Sequence, residues 1–230
     1  MKTTVKYALV AMLSMAFFYG NVSAQTVNFI NDSDIPEDEI IDAQNRVLDK
    51  VSDFVRALEK LTCTDCGYSI ETKKTICGDA LTLFMGEGDS YPIKVEDKDG
   101  NYREVTAPAV IMEFIQSKWN QKKFSRKTKD YLKGLVKMPV VGKQHVKIGL
   151  ADAIRIDNIN KVSDSLYMAV VTIKIRTIRL NESESKIIYT DDTEKKIQVF
   201  MQRIEEEAPI GGKRVRWIIK LGDIHAVSVE

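Results

Sequence analysis

Histidine and cysteine are both scarce. The only histidines are His145 and His225, and the only cysteines are Cys63, Cys66 and Cys77. A zinc site on those cysteines needs a fourth ligand, and neither histidine has finger-like spacing from them. Cys63-Thr-Asp-Cys66 has thioredoxin-like spacing, but no strand precedes it in a βαβ unit. No Ser-His-Asp order, phosphate-cradling glycine loop or metal-ligand cluster stands out. Internal repeats and low-complexity tracts are missing as well. Nothing here calls for a metal or a cofactor.

Long apolar runs are also few. The clearest is Tyr7 to Tyr19, 13 residues without a charge. That is too short for a membrane span, which needs about 20. Lys2 and Lys6 precede it, Gly20 breaks it, and Val22-Ser23-Ala24 puts small residues at a cleavage position. Residues 1–24 are therefore expected to be a secretory signal, cut between Ala24 and Gln25. No cysteine follows the run for a lipid anchor, and the mature chain is expected to be exported, periplasmic or extracellular, with no membrane span.

Strong charge of one sign is lacking too. The formal charge is +1; removing Lys2 and Lys6 with the signal makes it −1. A near-neutral chain has no general attraction for nucleic acid or membrane, and no nucleic-acid partner is expected. Residues 25–33 read as a loose polar arm, and residues 34–230 as one domain large enough for a real core. Outside the cytoplasm one cysteine pair should be bridged. The expected pair is Cys77 with Cys63 or Cys66, stapling two consecutive helices and leaving one thiol over.

Ser33 and Asp34 offer caps to a first helix, Pro36 suits its first turn, and Glu37, Asp38 and Glu39 suit the positive end of its dipole. Ile40, Val47, Val51, Phe54, Leu58 and Leu61 then recur at three- and four-residue steps. The spacing predicts a long amphipathic helix ending near Leu61. A second helix is expected from about Ser69 to Phe84, stopped by Gly86 and Gly88. Tyr91 to Val95 and Tyr102 to Thr106 flank Asp99-Gly100, a strong hairpin signal. The acidic turn lacks the ligand spacing of a calcium loop. Pro108 is expected to open a third helix, with Val110, Ile111, Phe114, Ile115 and Trp119 on its apolar side.

From Lys118 to Lys147 the chain turns basic, with Asp130 as the single acid. Lys122, Lys123, Arg126, Lys127 and Lys129 form the densest part, interleaved with Phe124. Two readings compete: an anion-binding patch, or a solvated face balanced by acidic segments elsewhere.

The last third predicts four long antiparallel strands. From Tyr167 to Ile175, Tyr167, Ala169, Val171, Ile173 and Ile175 share one parity, as a half-buried strand requires. The others run from Val146 to Ile156, from Lys186 to Ile204 and from Arg214 to Val229. A turn is expected over 157–164, a break near Asp191 to Thr193, and a bend at Gly222. The fold class is thus α+β: three N-terminal helices in the concave face of a strongly curved antiparallel sheet of about four long strands, plus a short hairpin.

That order of elements resembles the nuclear-transport-factor-2-like superfamily, the polyketide-cyclase-like cone fold. It is carried by Pro36 to Leu61, Asp79 to Tyr91, Asp99-Gly100, and the strands from Tyr167 to Ile178 and from Arg214 to Val229. The resemblance implies a sheet curled around helices, a pocket at its wide end, and a homodimer through the sheet face. It does not imply one function, because the family hosts isomerases, dehydratases and cyclases beside non-catalytic binding and assembly domains. Catalytic members place an Asp, an Asp–His pair or a Tyr in the pocket. Here Asp152 shares parity with Leu150 and Ile154, and Asp223 stands beside His225. An Asp near a glycine bend is more often a turn residue, and a His at a strand end more often a surface one. The expectation is an exported non-catalytic binding or assembly domain holding a small apolar ligand or a partner protein. The alternative is a small pocket enzyme using Asp152 or His225 as general acid or base.

The basic segment can be tested directly. If it is an anion patch, the purified protein binds anionic vesicles at low salt and releases them as salt rises; no binding at low salt, or salt-independent binding, removes the idea.

Overall fold

The computed structural model describes residues 35–96, 102–115, 122–137, 144–181, 183, 186–207 and 212–227. The expected signal with its expected cleavage site at Ala24 and Gln25, the expected polar arm, Asp99-Gly100 and Trp119 lie outside them.

Helix α1 is Glu37–Thr62. Val47, Val51, Phe54, Leu58 and Leu61 are buried, as the periodicity predicts; Ala43 joins them, and Ile40 is half-buried. Each fully buried Val, Leu or Phe is worth about 1.5–3 kcal/mol, so this row is a large share of the core. Pro36 holds the cap position, and no side chain caps the helix. Instead Arg203 ties the first turn to the sheet, its Nε donating to Glu39 at 3.0 Å. At the other end, the buried ammonium of Lys73 donates to the carbonyls of Leu61 and Cys63 at 2.9 and 3.1 Å. These groups would otherwise be left over at the helix terminus.

Helix α2 is Ile70–Thr82, capped by the Ser69 hydroxyl, which accepts from the Thr72 amide. Between the helices, Cys63 is bridged to Cys66, not Cys77 to either of them. The expected helix-to-helix staple is corrected here for a simple reason. The turn after α1 brings the Cys63 and Cys66 Cα atoms to 5.7 Å, whereas Cys77 faces inward from α2 and is buried in the core.

A short 3-10 turn, Met85–Gly88, leads to the hairpin β1 (Tyr91–Glu96) and β2 (Tyr102–Ala107). The expected helix after Pro108 is a strand pair instead: β3 (Ile111–Ile115) and β4 (Lys123–Lys127). Met112 is buried (1 % exposed) while Glu113 turns outward, an alternation of period two that a short apolar run concealed. The third helix, α3 (Thr128–Lys137), lies inside the basic segment and buries Leu132, Leu135 and Val136.

Five more strands follow: β5 (Gln144–Leu150), β6 (Arg155–Ser163), β7 (Leu166–Asn181), β8 (Ile187–Glu207) and β9 (Lys213–Ala226). The expected turn over 157–164 is mostly strand, because β6 folds back on β7 through Asp164-Ser165. β7 is long enough for β6 to pair with its first half and β5 with its second. β8 runs unbroken through Asp191 to Thr193; its irregularity lies at Ile188, between the pairs Arg179–Tyr189 and Leu180–Ile187.

The large sheet has seven strands in the order β4-β3-β9-β8-β7-β5, with β6 also on β7. It is mixed rather than antiparallel throughout, since β3 runs parallel to β9. The α+β class therefore stands, but the helix positions and strand count differ from expectation, and the sheet is not closed. Ala169, Val171, Ile173, Ile197, Val199, Met201, Leu221 and Ile224 meet α1 in one core.

Thr62 joins the two layers. Its hydroxyl donates to the Leu58 carbonyl at 2.8 Å and accepts from the Ile148 amide of β5 at 3.0 Å. Thr62→Val keeps the shape and strands a buried amide, so it should lower stability by about 1–3 kcal/mol, read as a shift in the urea unfolding midpoint.

Candidate functional site

Leu221 and Ile224 are both fully buried, yet they are three residues apart on one strand. Regular alternation would send them to opposite faces. β9 solves this with an extra residue at Gly222–Asp223: Ile197 pairs with Ile224, while Val199 pairs with Leu221. The bulge turns Asp223 toward β3, where its Oδ1 accepts from the Ile111 amide at 2.9 Å. This bond holds β3 where Met112 can pair with Ile224. The phase shift expected at Gly222 is therefore real, and it has a job.

Gly222 also makes space. A Cβ there would lie 2.6 Å from the Phe200 ring. Gln198 and Phe200 alternate with the core residues Ile197, Val199 and Met201, so they stand on the other face of the sheet. A second ring, Tyr91, rests on Gly86, where a Cβ would come within 2.0 Å of it. Gly86 also has φ +54°, a conformation that favours glycine. Beside these two rings lies a shallow, half-open hollow of about 80 Å³. Met85, Val110, Gln198 and Asp223 also line it, with the chain from Ala107 to Ala109.

Burial pushes the Asp223 carboxyl above the usual carboxylate range and nearby Glu113 adds to this, while the Ile111 amide and His225 pull the other way. His225 is on the same side of the sheet, 39 % exposed, with Nδ1 3.4 Å from Glu113. Glu113 also accepts from the Ala226 amide at 3.2 Å and lies 3.9 Å from the Lys123 ammonium. Further along, Lys196 pairs in register with both His225 and Thr172, and reaches Asp157 at 3.9 Å. A belt of polar side chains thus crosses this face beside the hollow.

The two acid–base candidates are not brought together. Asp152 is exposed in the loop between β5 and β6, where it accepts from its neighbour Ala153 at 2.8 Å. β7 and β8 separate it from His225. The partner of His225 is Glu113, which sequence reasoning missed because its segment was read as a helix. The basic residues are distributed as well. Lys122, Lys123, Arg126 and Lys127 are exposed on or beside β4. Arg126 lies 5.7 Å from the centre of the Phe124 ring, and Lys129 on α3 pairs with Asp89 at 2.7 Å.

Among the described residues, no three His, Cys, Asp or Glu side chains gather as a metal site would require, and no helix is long and apolar enough to cross a membrane. No known family model matches the chain, and no curated protein resembles it closely enough to count as a match.

Beneath the belt, on the core side, Lys195 is buried (5 % exposed). Its ammonium donates to the Glu113 carbonyl and lies 4.6 Å from the centre of the Phe114 ring. Burial pulls its pKa down from 10.5 to about 8, against the opposing pull of Glu113. Between those two values the unfolded chain binds the proton and the folded protein does not. The cost of burying the ammonium is thus full at pH 7 and is relieved as pH rises through that window. Lys195→Met should therefore be more stable than the parent at pH 7, by at most about 3 kcal/mol less the lost hydrogen bond, with the gap closing toward pH 10. Urea unfolding of both proteins at pH 7 and pH 9.5 checks the sign.

Proposed function

We propose that this protein is an exported, non-catalytic binding domain, and that it holds a small apolar ligand in the hollow between Tyr91 and Phe200. The observation that carries this reading is how the hollow is built. Two aromatic walls are each seated on a glycine, over a rigid sheet, with few polar groups inside. Small-molecule sites have that composition: mostly apolar walls and a few placed polar groups. Export is supported by the signal-like N-terminus and by the Cys63–Cys66 disulfide. Kinship with the nuclear-transport-factor-2-like superfamily is supported by two helices preceding a long antiparallel ladder, β7 to β9. A second copy docked on the same sheet face is the competing occupant.

One observation favours an enzyme of the isomerase or dehydratase kind. The carboxyl of Asp223 stands in the hollow near His225, and burial raises its pKa. In that reading Asp223, rather than Asp152, is the acid.

Native mass spectrometry of protein purified from its own compartment should show one small apolar molecule bound per chain. Gln198→Trp, which fills the hollow from a half-buried position, should cut occupancy at least about ten-fold. Protein without an adduct, an adduct indifferent to Gln198→Trp, or a doubled mass with an empty hollow would each go against the proposal.

A further inference from the structure

The hollow has a feature that an apolar ligand alone does not use. Asp223 lines it, half-buried, and makes no ion pair with any described residue. One oxygen accepts from the Ile111 amide; among the described residues, the charged groups that act on the carboxyl are His225 and Glu113. The nearby cations are engaged elsewhere: Lys123 faces Glu113, Lys196 faces Asp157, and Lys195 lies on the core side under Phe114. Buried carboxylates are normally paired, because withdrawal from water disfavours their charge. Among the described residues no cation pairs with Asp223, and two aromatic rings line the space beside it.

A carboxylate between aromatic faces recognises an organic cation. The carboxylate supplies the opposite charge, and an aromatic ring attracts a cation that lies over its face. An anionic head group would meet Asp223 with Glu113 behind it, and like charges repel. A neutral head group would gain a hydrogen bond but leave the carboxylate as poorly solvated as before. The glycines under Tyr91 and Phe200 hold the rings in place before any ligand arrives, so little ordering is left for binding to do.

We infer that the ligand of this hollow is an amphiphilic organic cation, with its ammonium against Asp223 between Tyr91 and Phe200 and its apolar body along Met85 and Val110. This rests on the reading of the hollow as a ligand site, and the test separates the two. Calorimetry at pH 7 would compare octylammonium, octanol and octanoate, which share a chain length and differ in head group. The ammonium should bind about ten-fold more tightly than the alcohol, and the carboxylate most weakly. Asp223→Asn keeps an acceptor for the Ile111 amide and removes the charge, so ammonium binding should fall to the level of octanol and the preference should vanish. If that variant does not fold, Tyr91→Leu is the second probe: it should weaken ammonium binding more than octanol binding, so that the preference shrinks several-fold. Alcohol or carboxylate binding as well as ammonium in the parent protein, or a preference that survives Asp223→Asn, overturns the cation and leaves the site. No binding of any of the three, or binding indifferent to Gln198→Trp, overturns the site itself and the cation with it.

Discussion

A strand cannot send residues i and i+3 to the same face, yet Leu221 and Ile224 both belong to the core. The extra residue that reconciles them shapes much of what surrounds it. It requires a residue without a side chain at 222, because Phe200 occupies the space where a Cβ would go. It turns Asp223 out of the strand's alternation, so that a carboxylate can accept the Ile111 amide. That bond holds β3 beside β9, and β3 in turn carries Glu113 to His225 and Phe114 over Lys195. Bulges beside functional sites commonly re-aim side chains in this way. Here one bulge links the packing of the core to the chemistry of the opposite face.

The core itself rests on α1 lying over the sheet, closest to β5 and β9. Phe54 meets Phe84 edge to face at 5.2 Å between ring centres, and Tyr167 meets Trp217 at 5.5 Å. The helix is fastened at both ends to groups outside it: Glu39 to Arg203 at the start, the last carbonyls to Lys73, and Thr62 to the Ile148 amide of β5. These polar ties matter beyond their small individual energies. A buried donor or carbonyl left without a partner costs more than the bond is worth when made. They fix the helix in one position over the sheet, where apolar contact alone would tolerate some sliding.

How much could be seen beforehand depended on the length of each pattern. α1 and β7 were legible because an apolar stripe repeats for seven turns in one and an alternation runs for nine residues in the other. The segment 111–115 was not. Five residues with four apolar members fit a helix face and a buried strand equally well, and Pro108 tipped the reading toward a helix. α3 was hidden in the same way, since Leu132, Leu135 and Val136 are interleaved with Lys129, Lys133 and Lys137. His225 and the Asp223 beside it could be singled out as a polar pair after Gly222. Glu113, their neighbour in space, is more than a hundred residues away in the chain, and no spacing rule reaches that far.

The order of residues alone settled the long amphipathic helix, the three last strands and the irregularity at Gly222, because each is a local pattern of period 3.6 or 2, or a break in one. Tertiary structure decided which cysteines meet, which edge β3 joins, and which polar side chains share the outer face. Those outcomes depend on distances across the sheet and on which side chains leave room for others. Such relations arise only when strands far apart in the chain lie next to each other.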